Sequence, residues 1–221
     1  MLSSAAFAQN SNGGADWGGY YGGVSAGAGT AEMDLGFTGF GWWTFGGPST
    51  ANFDPNGAAI GVHLGYDHML SKNWYVGIEG SLNDSSMKQT IVSPSFFTPN
   101  DTWTAEINNY WTVVGRVGYV MEKTSFYGSV GLAGANVKST AIGGLFLDIS
   151  EEHHTGWTAG AGVEYMIRPR LTVGLDYKYL DLGSELHLSD TATCGNCLSP
   201  GDNRNVDVSA QVITARISLG F

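Results

Sequence analysis

The sequence predicts an all-β protein, an eight-stranded antiparallel up-and-down transmembrane β-barrel with short periplasmic turns and four long extracellular loops. Three observations predict it. Segments of the 221-residue chain alternate between apolar and small or polar residues. Short and long connections join these segments in turn. The last segment carries Ile213, Ala215, Ile217 and Leu219 on one face and runs to Phe221, as a period-2 strand does.

The composition agrees with a protein that faces lipid. Charged residues make up only 14% of the chain, against about 25% in ordinary soluble domains. No apolar run reaches the ~18 residues that a spanning helix needs. Because every backbone N–H and C=O must be paired inside hydrocarbon, a closed sheet is the remaining way to cross. The net charge of −10 argues against a nucleic-acid partner.

The first four strands are expected at residues 20–29, 58–68, 74–83 and 107–121. The clearest is 58–68, because each of its faces is uniform. One face is apolar and the other is small or polar: Ile60, Val62, Leu64 and Tyr66 lie opposite Gly61, His63, Gly65 and Asp67.

The remaining strands are expected at residues 126–137, 156–166, 171–182 and 206–221. Strand 156–166 alternates Trp157, Val163 and Tyr165 with Gly160 and Glu164. Strand 126–137 is rich in Gly and Ala, and its alternation is weaker. The terminal strand closes the barrel, and its residues Ile217, Leu219 and Phe221 are the expected signal for the barrel-assembly machinery.

The connections alternate strictly in length. Tight turns are expected at residues 69–73, 122–125 and 167–170. Long connections are expected at 30–57, 84–106, 138–155 and 183–205. An up-and-down barrel with both termini at the short-turn end requires this order.

Aromatic residues fall at the ends of the expected strands. One set lies next to the short turns and another nearer the long loops, as in the two aromatic girdles of a membrane barrel. The first set is Tyr66, Trp74, Tyr119, Phe126, Tyr165 and Phe221, and the second is Trp111, Trp157 and Tyr179.

Charged residues on the small or polar faces are expected inside the barrel. They are Glu79, Arg116, Glu164, Asp176, Lys178 and Arg216, with His63 and Asp67 as further members. The interior of an eight-stranded barrel is about filled by side chains, and an unpaired buried ion costs several kcal/mol. The sequence therefore favours a structural network of ion pairs, with a gated or minor pore and a buried catalytic group as alternatives.

No catalytic or metal-binding pattern stands out, and we expect no enzyme activity, cofactor or metal. The five histidines show no HExxH or other zinc spacing. His153 and His154 are consecutive, so on a strand they face opposite sides. A lipid A-modifying enzyme would need Ser, His and a carboxylate within hydrogen-bond reach.

Cys194 and Cys197 lie in the last expected loop, outside the cell. A small disulfide that pins this loop is the favoured interpretation, because that compartment is oxidising. A zinc knuckle would need two further ligands, and a reactive thiol is the other alternative.

The long loops are acidic and carry aromatic residues. The acidic residues are Glu32, Asp34, Asp54, Asp84, Asp101, Asp148, Glu151, Glu152, Glu185, Asp190 and Asp202, and the aromatic residues are Trp42, Trp43, Phe45, Phe96, Phe97 and Trp103. The carboxylates either keep the loops solvated or bridge to lipopolysaccharide through divalent cations. The aromatic residues either contact an extracellular protein partner or pack the loops together.

The N-terminus resembles the tail of a signal peptide, because Ala6-Phe7-Ala8 is a small-x-small cleavage pattern. We therefore expect residues 1–8 to be a signal-peptide remnant and residues 9–221 to be a single barrel domain.

Four stretches together resemble a known family. They are WGGYYGGVSAGAG at 17–29, GWTAGAGVEYMI at 156–167, LTVGLDYKYLDLG at 171–183 and the closing ARISLGF. They resemble the proteobacterial outer-membrane β-barrel family that includes opacity-type, porin-like surface antigens. The resemblance implies an eight-stranded barrel in the outer membrane of a Gram-negative bacterium, in contact with lipid and lipopolysaccharide. It implies no activity. The expected role is structural, through envelope integrity and loop contacts, with a narrow porin-like channel and a lipid A-modifying enzyme as alternatives.

Overall fold

The computed structural model describes residues 17–38, 50–92, 100–143, 146–188 and 203–221. These residues form nine strands and no helix. The strands are β1 (Gly19–Phe37), β2 (Thr50–Phe53), β3 (Asn56–Met69), β4 (Trp74–Val92), β5 (Thr102–Met121), β6 (Thr124–Gly143), β7 (Phe146–Arg168), β8 (Leu171–His187) and β9 (Arg204–Gly220).

The strands close into a ring of antiparallel neighbours. Consecutive strands pair from β3 through to β9, and β1 closes the ring by pairing with both β3 and β9. The short β2 pairs with the far end of β1, where Met33 lies opposite Phe53. Closure gives every ring strand a partner on each side near the short-turn end, which removes the exposed edges that an open sheet would have there. Further from that end, residues 146–156 of β7 pair with β6 alone.

Tight turns join β3 to β4, β5 to β6 and β7 to β8 at one end of the ring, which confirms the up-and-down order. Glu122 and Arg170 adopt positive φ angles of 54° and 67° in two of these turns. We call this end the short-turn end and the opposite end the long-connection end.

The strands are longer than the sequence predicted. The ring strands contain 14 to 23 residues, whereas a membrane crossing needs only about 9–11. Much of the expected long connections is therefore strand: β4 continues to Val92, β5 begins at Thr102, and β6 and β7 reach Gly143 and Phe146. The prediction of loop over most of 84–106 and 138–155 was wrong.

The reason is a change in which face is apolar. Towards the short-turn end the apolar side chains point outward, as in Ile213, Ile217 and Leu219, which are more than half exposed. Towards the long-connection end they point inward, as in Val206 and Val208, which are fully buried. Most outward positions there are polar, with exceptions such as Val92 and Ile142, so these strand halves look like loops in the sequence.

The change divides the barrel into two parts. The membrane segment runs from the aromatic residues beside the short turns, such as Trp74 and Tyr119, up to Trp111, Trp157 and Tyr179. The collar is the rest of the ring towards the long-connection end. None of the residues that the structure describes forms a helix long and apolar enough to cross a membrane.

Candidate functional site

A compact charge cluster fills the membrane segment near the short-turn end. Its members come from β3, β4, β5, β7, β8 and β9, and six of the seven are less than 5% exposed. They are Asp67, Glu79, Arg116, Glu164, Asp176, Lys178 and Arg216. Each is held at a position whose side chain faces inward, because successive residues of a strand point to opposite faces.

Arg116 is the centre of the cluster. Its Nη1 donates to Glu79 Oε2 at 3.1 Å, and its Nη2 donates to Glu164 Oε2 at 2.9 Å. Its Nε lies 3.4 Å from Asp67 Oδ1. One guanidinium therefore ties together carboxylates from three different strands.

Arg216 makes a second set of ion pairs. Its Nη2 donates to Glu79 Oε2 at 2.6 Å, and its Nε lies 3.2 Å from Glu164 Oε1. Lys178 pairs with its neighbour Asp176 and lies 3.9 Å from Glu79 Oε1. Glu79 and Glu164 are thus shared between both arginines, which locks the two guanidinium groups in place.

Three inward tyrosines, Tyr21, Tyr75 and Tyr127, complete the cluster. Nη1 and Nη2 of Arg116 donate to the hydroxyls of Tyr21 and Tyr75 at 3.0 and 2.7 Å, and the Tyr127 hydroxyl donates to Asp176 Oδ1 at 2.8 Å. The Arg116 guanidinium also lies 4.1 Å from the centre of the Tyr127 ring, a cation–π contact. Sequence reasoning missed these tyrosines as cluster members, although their inward parity was available.

Glycines on neighbouring strands make room for these rings, and a Cβ atom at Gly65 would overlap the ring of Tyr21. A Cβ atom at Gly118 would overlap the ring of Tyr75, and one at Gly162 would overlap the ring of Tyr127. The rings therefore lie flat over a bare backbone, which explains part of the high glycine content of the strands.

The lumen above the cluster narrows to a cavity of about 20 Å³ lined by polar residues, including Ser81, Tyr110 and Thr214. Such a volume holds about one water molecule. His63 belongs to this region, and its Nε2 lies 2.8 Å from Ser218 Oγ. Within the described part of the chain, no carboxylate hydrogen-bonds to Nδ1 of His63, so this pair lacks the third group of a hydrolase triad.

The interior of the collar is apolar, which the sequence did not predict. We call the buried apolar side chains inside the collar the collar core. They include Met33, Phe53, Ile107, Leu182 and Val208, which are all at most 1% exposed. Trp103, expected on a loop, lies on β5 and is buried in this core. That expectation was wrong because 103 belongs to the inward-facing strand half.

Buried polar side chains interrupt the collar core, and the largest are His154, His187 and Arg204. His154 and His187 contact each other through their Nε2 atoms, and Arg204 donates from Nε to Ser139 Oγ at 2.7 Å. His153, the neighbour of His154, points outward and stacks on Trp111. His187 and Arg204 were not singled out from the sequence, since both appeared to lie in a loop.

Several residues that the sequence analysis placed on loops lie on strands, and others lie outside the residues that the structure describes. The carboxylates Glu32, Asp34, Asp84, Glu151 and Glu185 lie on strands and not on loops. Ile217, Leu219 and Phe221 are exposed on the outer surface. The residues that fall outside the described ranges are 1–8, Trp42, Trp43, Phe45, Phe96, Phe97, Asp190, Cys194, Cys197 and Asp202. Among the described residues, no group of three or more His, Cys, Asp or Glu could hold a metal ion.

Comparison with known proteins agrees with this architecture. Residues 1–221 match the family described as "Outer membrane protein beta-barrel domain". The chain is 30% identical over 166 residues to a 31 kDa outer-membrane immunogenic protein of Brucella melitensis, and the match covers 73% of this chain and 64% of that protein's length.

Two solved structures share the fold. The outer membrane protein OprG of Pseudomonas aeruginosa superposes with a TM-score of 0.53 at 12% identity, covering 92% of this chain and 97% of OprG. The outer membrane protein AlkL gives a TM-score of 0.50 at 15% identity, covering 100% of this chain and 97% of AlkL. The ring topology, the outward apolar surface and the family match together show that this chain belongs to the outer membrane protein β-barrel family and resides in the outer membrane.

Proposed function

We propose that this protein is a non-conducting structural barrel that stabilises the outer membrane and presents its collar and loops to partners outside the cell. In this proposal the short-turn end faces the periplasm. The observation that carries the proposal is the filled lumen, which combines the charge cluster with the collar core.

Two barriers in series oppose a pore. Arg116 and Arg216 hold their carboxylates through several direct contacts each, so opening a path there would leave buried charges unpaired at a cost of about 3–5 kcal/mol. The collar core above offers apolar side chains to any ion that passed, and apolar constrictions exclude hydrated ions. This arrangement favours a structural role over the narrow porin.

The outer surface supports stable anchoring in lipid. Apolar side chains such as Val62, Leu82 and Ile217 are more than half exposed in the membrane segment. In this proposal they contact lipid acyl chains, and the core sugars of lipopolysaccharide surround the collar. We propose that Ile217, Leu219 and Phe221 also present the C-terminal strand to the barrel-assembly machinery. Deleting Phe221 is then expected to lower the amount of folded, heat-modifiable protein in the outer membrane.

Contacts outside the cell would use the polar outer wall of the collar together with the connections. The collar wall presents side chains such as Asp34, Glu151 and Asp207 to solvent, which suits a protein partner or a bridging divalent cation. The Brucella relative is named as an immunogenic protein, which accords with exposure at the cell surface.

Planar-bilayer conductance of the purified full chain tests the proposal. We expect no steady open level, either in the wild-type protein or in a Glu164→Gln variant. A steady wild-type level that disappears on changing Arg116 or Glu164 would establish the pore instead. Folding of each preparation is checked first by its heat-modifiable migration on a gel.

Two cellular measurements complete the test. A strain lacking the gene is expected to become more sensitive to detergent and to recover when the wild-type gene is returned. Mass spectrometry of lipid A from the two strains is expected to give identical spectra. A difference in acyl chains would point to the lipid A-modifying enzyme.

A further inference from the structure

A cavity of about 360 Å³ opens beside the charge cluster at the short-turn end. Its volume lies in the range of small-molecule sites. Its floor contains the carboxylates of Asp67 and Glu164, and its walls contain aromatic side chains from β1, from β3 and from the segments just before β1 and just after β9. We call it the rim cavity; its aromatic lining residues are Trp17, Tyr20, Tyr21, Tyr66 and Phe221.

Asp67 is the carboxylate on the floor of the rim cavity that has an unsatisfied oxygen. Its side chain is only 4% exposed, and its Oδ1 is buried without a hydrogen-bond partner. The cation beside it is Arg116, whose Nε stands 3.4 Å from Oδ1. Glu164, by contrast, is held by both arginines, so Asp67, which contacts only Arg116 of the two, is the less strongly paired carboxylate on the cavity floor.

The charge cluster as a whole also carries an excess of negative charge. With histidine counted as neutral, its four carboxylates face only three basic side chains within the described residues. Arg170 lines the mouth of the rim cavity, but its side chain is exposed and its charge is screened by solvent. The net charge of the cluster beside the cavity floor is therefore negative, which favours a cation over an anion.

These features define the chemistry of a ligand. A bare divalent metal ion prefers six or more oxygen ligands, which the rim cavity does not supply. An organic ammonium ion needs one carboxylate for its N–H groups and aromatic faces around its positive charge. We propose that the rim cavity is a binding site for a small organic ammonium ion, with Asp67 as its counter-ion and the tyrosine and tryptophan rings as its walls.

Binding of n-butylammonium to the detergent-solubilised full chain tests the proposal, with n-butanol as a neutral probe of similar size. Saturation-transfer NMR is expected to show saturable binding of the ammonium ion, roughly in the millimolar range, and none of the alcohol. Equal binding of both probes, or no saturable binding of n-butylammonium, would overturn the proposal.

Two variants locate the site. Asp67→Asn is expected to weaken n-butylammonium binding about ten-fold or more, which corresponds to ~1.4 kcal/mol. Asp84→Asn makes the same chemical change on the outward side of β4 and is expected to leave binding unaltered. If both variants bind as the wild type does, Asp67 is not the counter-ion and the proposal fails.

A third variant tests the location of the site even if Asp67→Asn does not fold. Thr172 lines the rim cavity without joining the charge cluster, so Thr172→Met fills space and leaves the charges in place. We expect it to abolish binding while the protein keeps its heat-modifiable migration. Undiminished binding by this folded variant would place the ammonium ion elsewhere.

Discussion

His154 and His187 face each other inside the collar, with their Nε2 atoms 2.9 Å apart and both side chains fully buried. At this distance one ring donates its Nε2–H and the other accepts, since two N–H groups would collide. The pair therefore tolerates one proton between these two atoms and excludes a second. The collar is thus built around two neutral imidazoles.

The pH response of the collar follows from this pair. Burial is the main cause that lowers the pKa of both histidines. For His187, the neighbouring His154 and Arg204 act in the same direction, and the three causes together lower its pKa from 6.5 to about 3. On His154, hydrogen bonding with the backbone of Gly183 and Leu182 and the charges of Glu185 and Asp207 oppose this lowering of the pKa. An opened collar binds protons that the closed collar cannot, so stability is highest above pH 6.5 and falls as the pH drops towards 3.

Amide hydrogen exchange on either side of pH 6.5 measures this response. After correction for intrinsic rates, collar amides near Val206 and Val208 are expected to lose protection in acid, while membrane-segment amides near Val117 keep theirs. Replacing both histidines with Leu removes both polar partners together, which is close to neutral for stability, and should abolish the pH effect. Collar protection that stays constant in the wild type would contradict the prediction.

Replacement of Arg116 with Met should strongly destabilise the barrel. It would leave Asp67, Glu79 and Glu164 with fewer positive partners in a buried place, at a cost of about 3–5 kcal/mol. Urea unfolding in lipid vesicles, followed by tryptophan fluorescence, gives the change in free energy. Lys88→Ala is the control, because this surface side chain is 57% exposed and its ion pair with Glu106 is worth at most about 1 kcal/mol.

Gly118→Ala should lower stability because the new methyl group meets the Tyr75 ring. Tyr75 is fully buried and hydrogen-bonded to both Arg116 and Ser125, so it has little freedom to move. Overpacking of this kind costs about 1–3 kcal/mol. Gly115→Ala, on the same strand, would meet no atom nearer than 3.9 Å and should leave the unfolding midpoint unchanged.

Asp34→Asn is expected to stabilise the collar. Asp34 and Asp207 are directly opposite each other on β1 and β9, and like charges opposite each other destabilise a sheet by roughly 0.2–1 kcal/mol. Thermal unfolding at low ionic strength should show a higher midpoint for the variant. The gain should shrink in high salt, which screens exposed charges; an equal gain at both salt concentrations would point to another cause.

The alternation of residues was enough to predict the ring within the membrane segment. Outward Ile60, Val62 and Ile217 and inward Glu79 and Arg116 could be assigned by parity alone, because lipid outside and a narrow lumen inside impose opposite polarities. What parity cannot give is partnership. The contact between Arg116 and Tyr75 depends on the register of β4 and β5. The sequence of one strand alone does not determine that register.

The collar escaped prediction for a different reason. Its strands keep the same period but exchange faces, as Val206 and Val208 give way to Ile213 and Ile217 along β9. Once water replaces lipid outside, apolar side chains gain by turning inward, while the outer positions become polar. A search for one continuous outward apolar stripe therefore stops at the aromatic residues that separate the membrane segment from the collar. The pairing of β1 with β9 continues beyond that level.

The uninterrupted pairing of β1 with β9, from Tyr21 opposite Gly220 to Phe37 opposite Arg204, limits how the sequence of the collar wall can change. Within this regular ladder, a single inserted residue would turn the later side chains to the wrong face unless a β-bulge absorbed it. Sequence changes on the collar wall should therefore be exchanges of outward side chains at constant strand length. Changes in length should be confined to the segments that join one strand to the next.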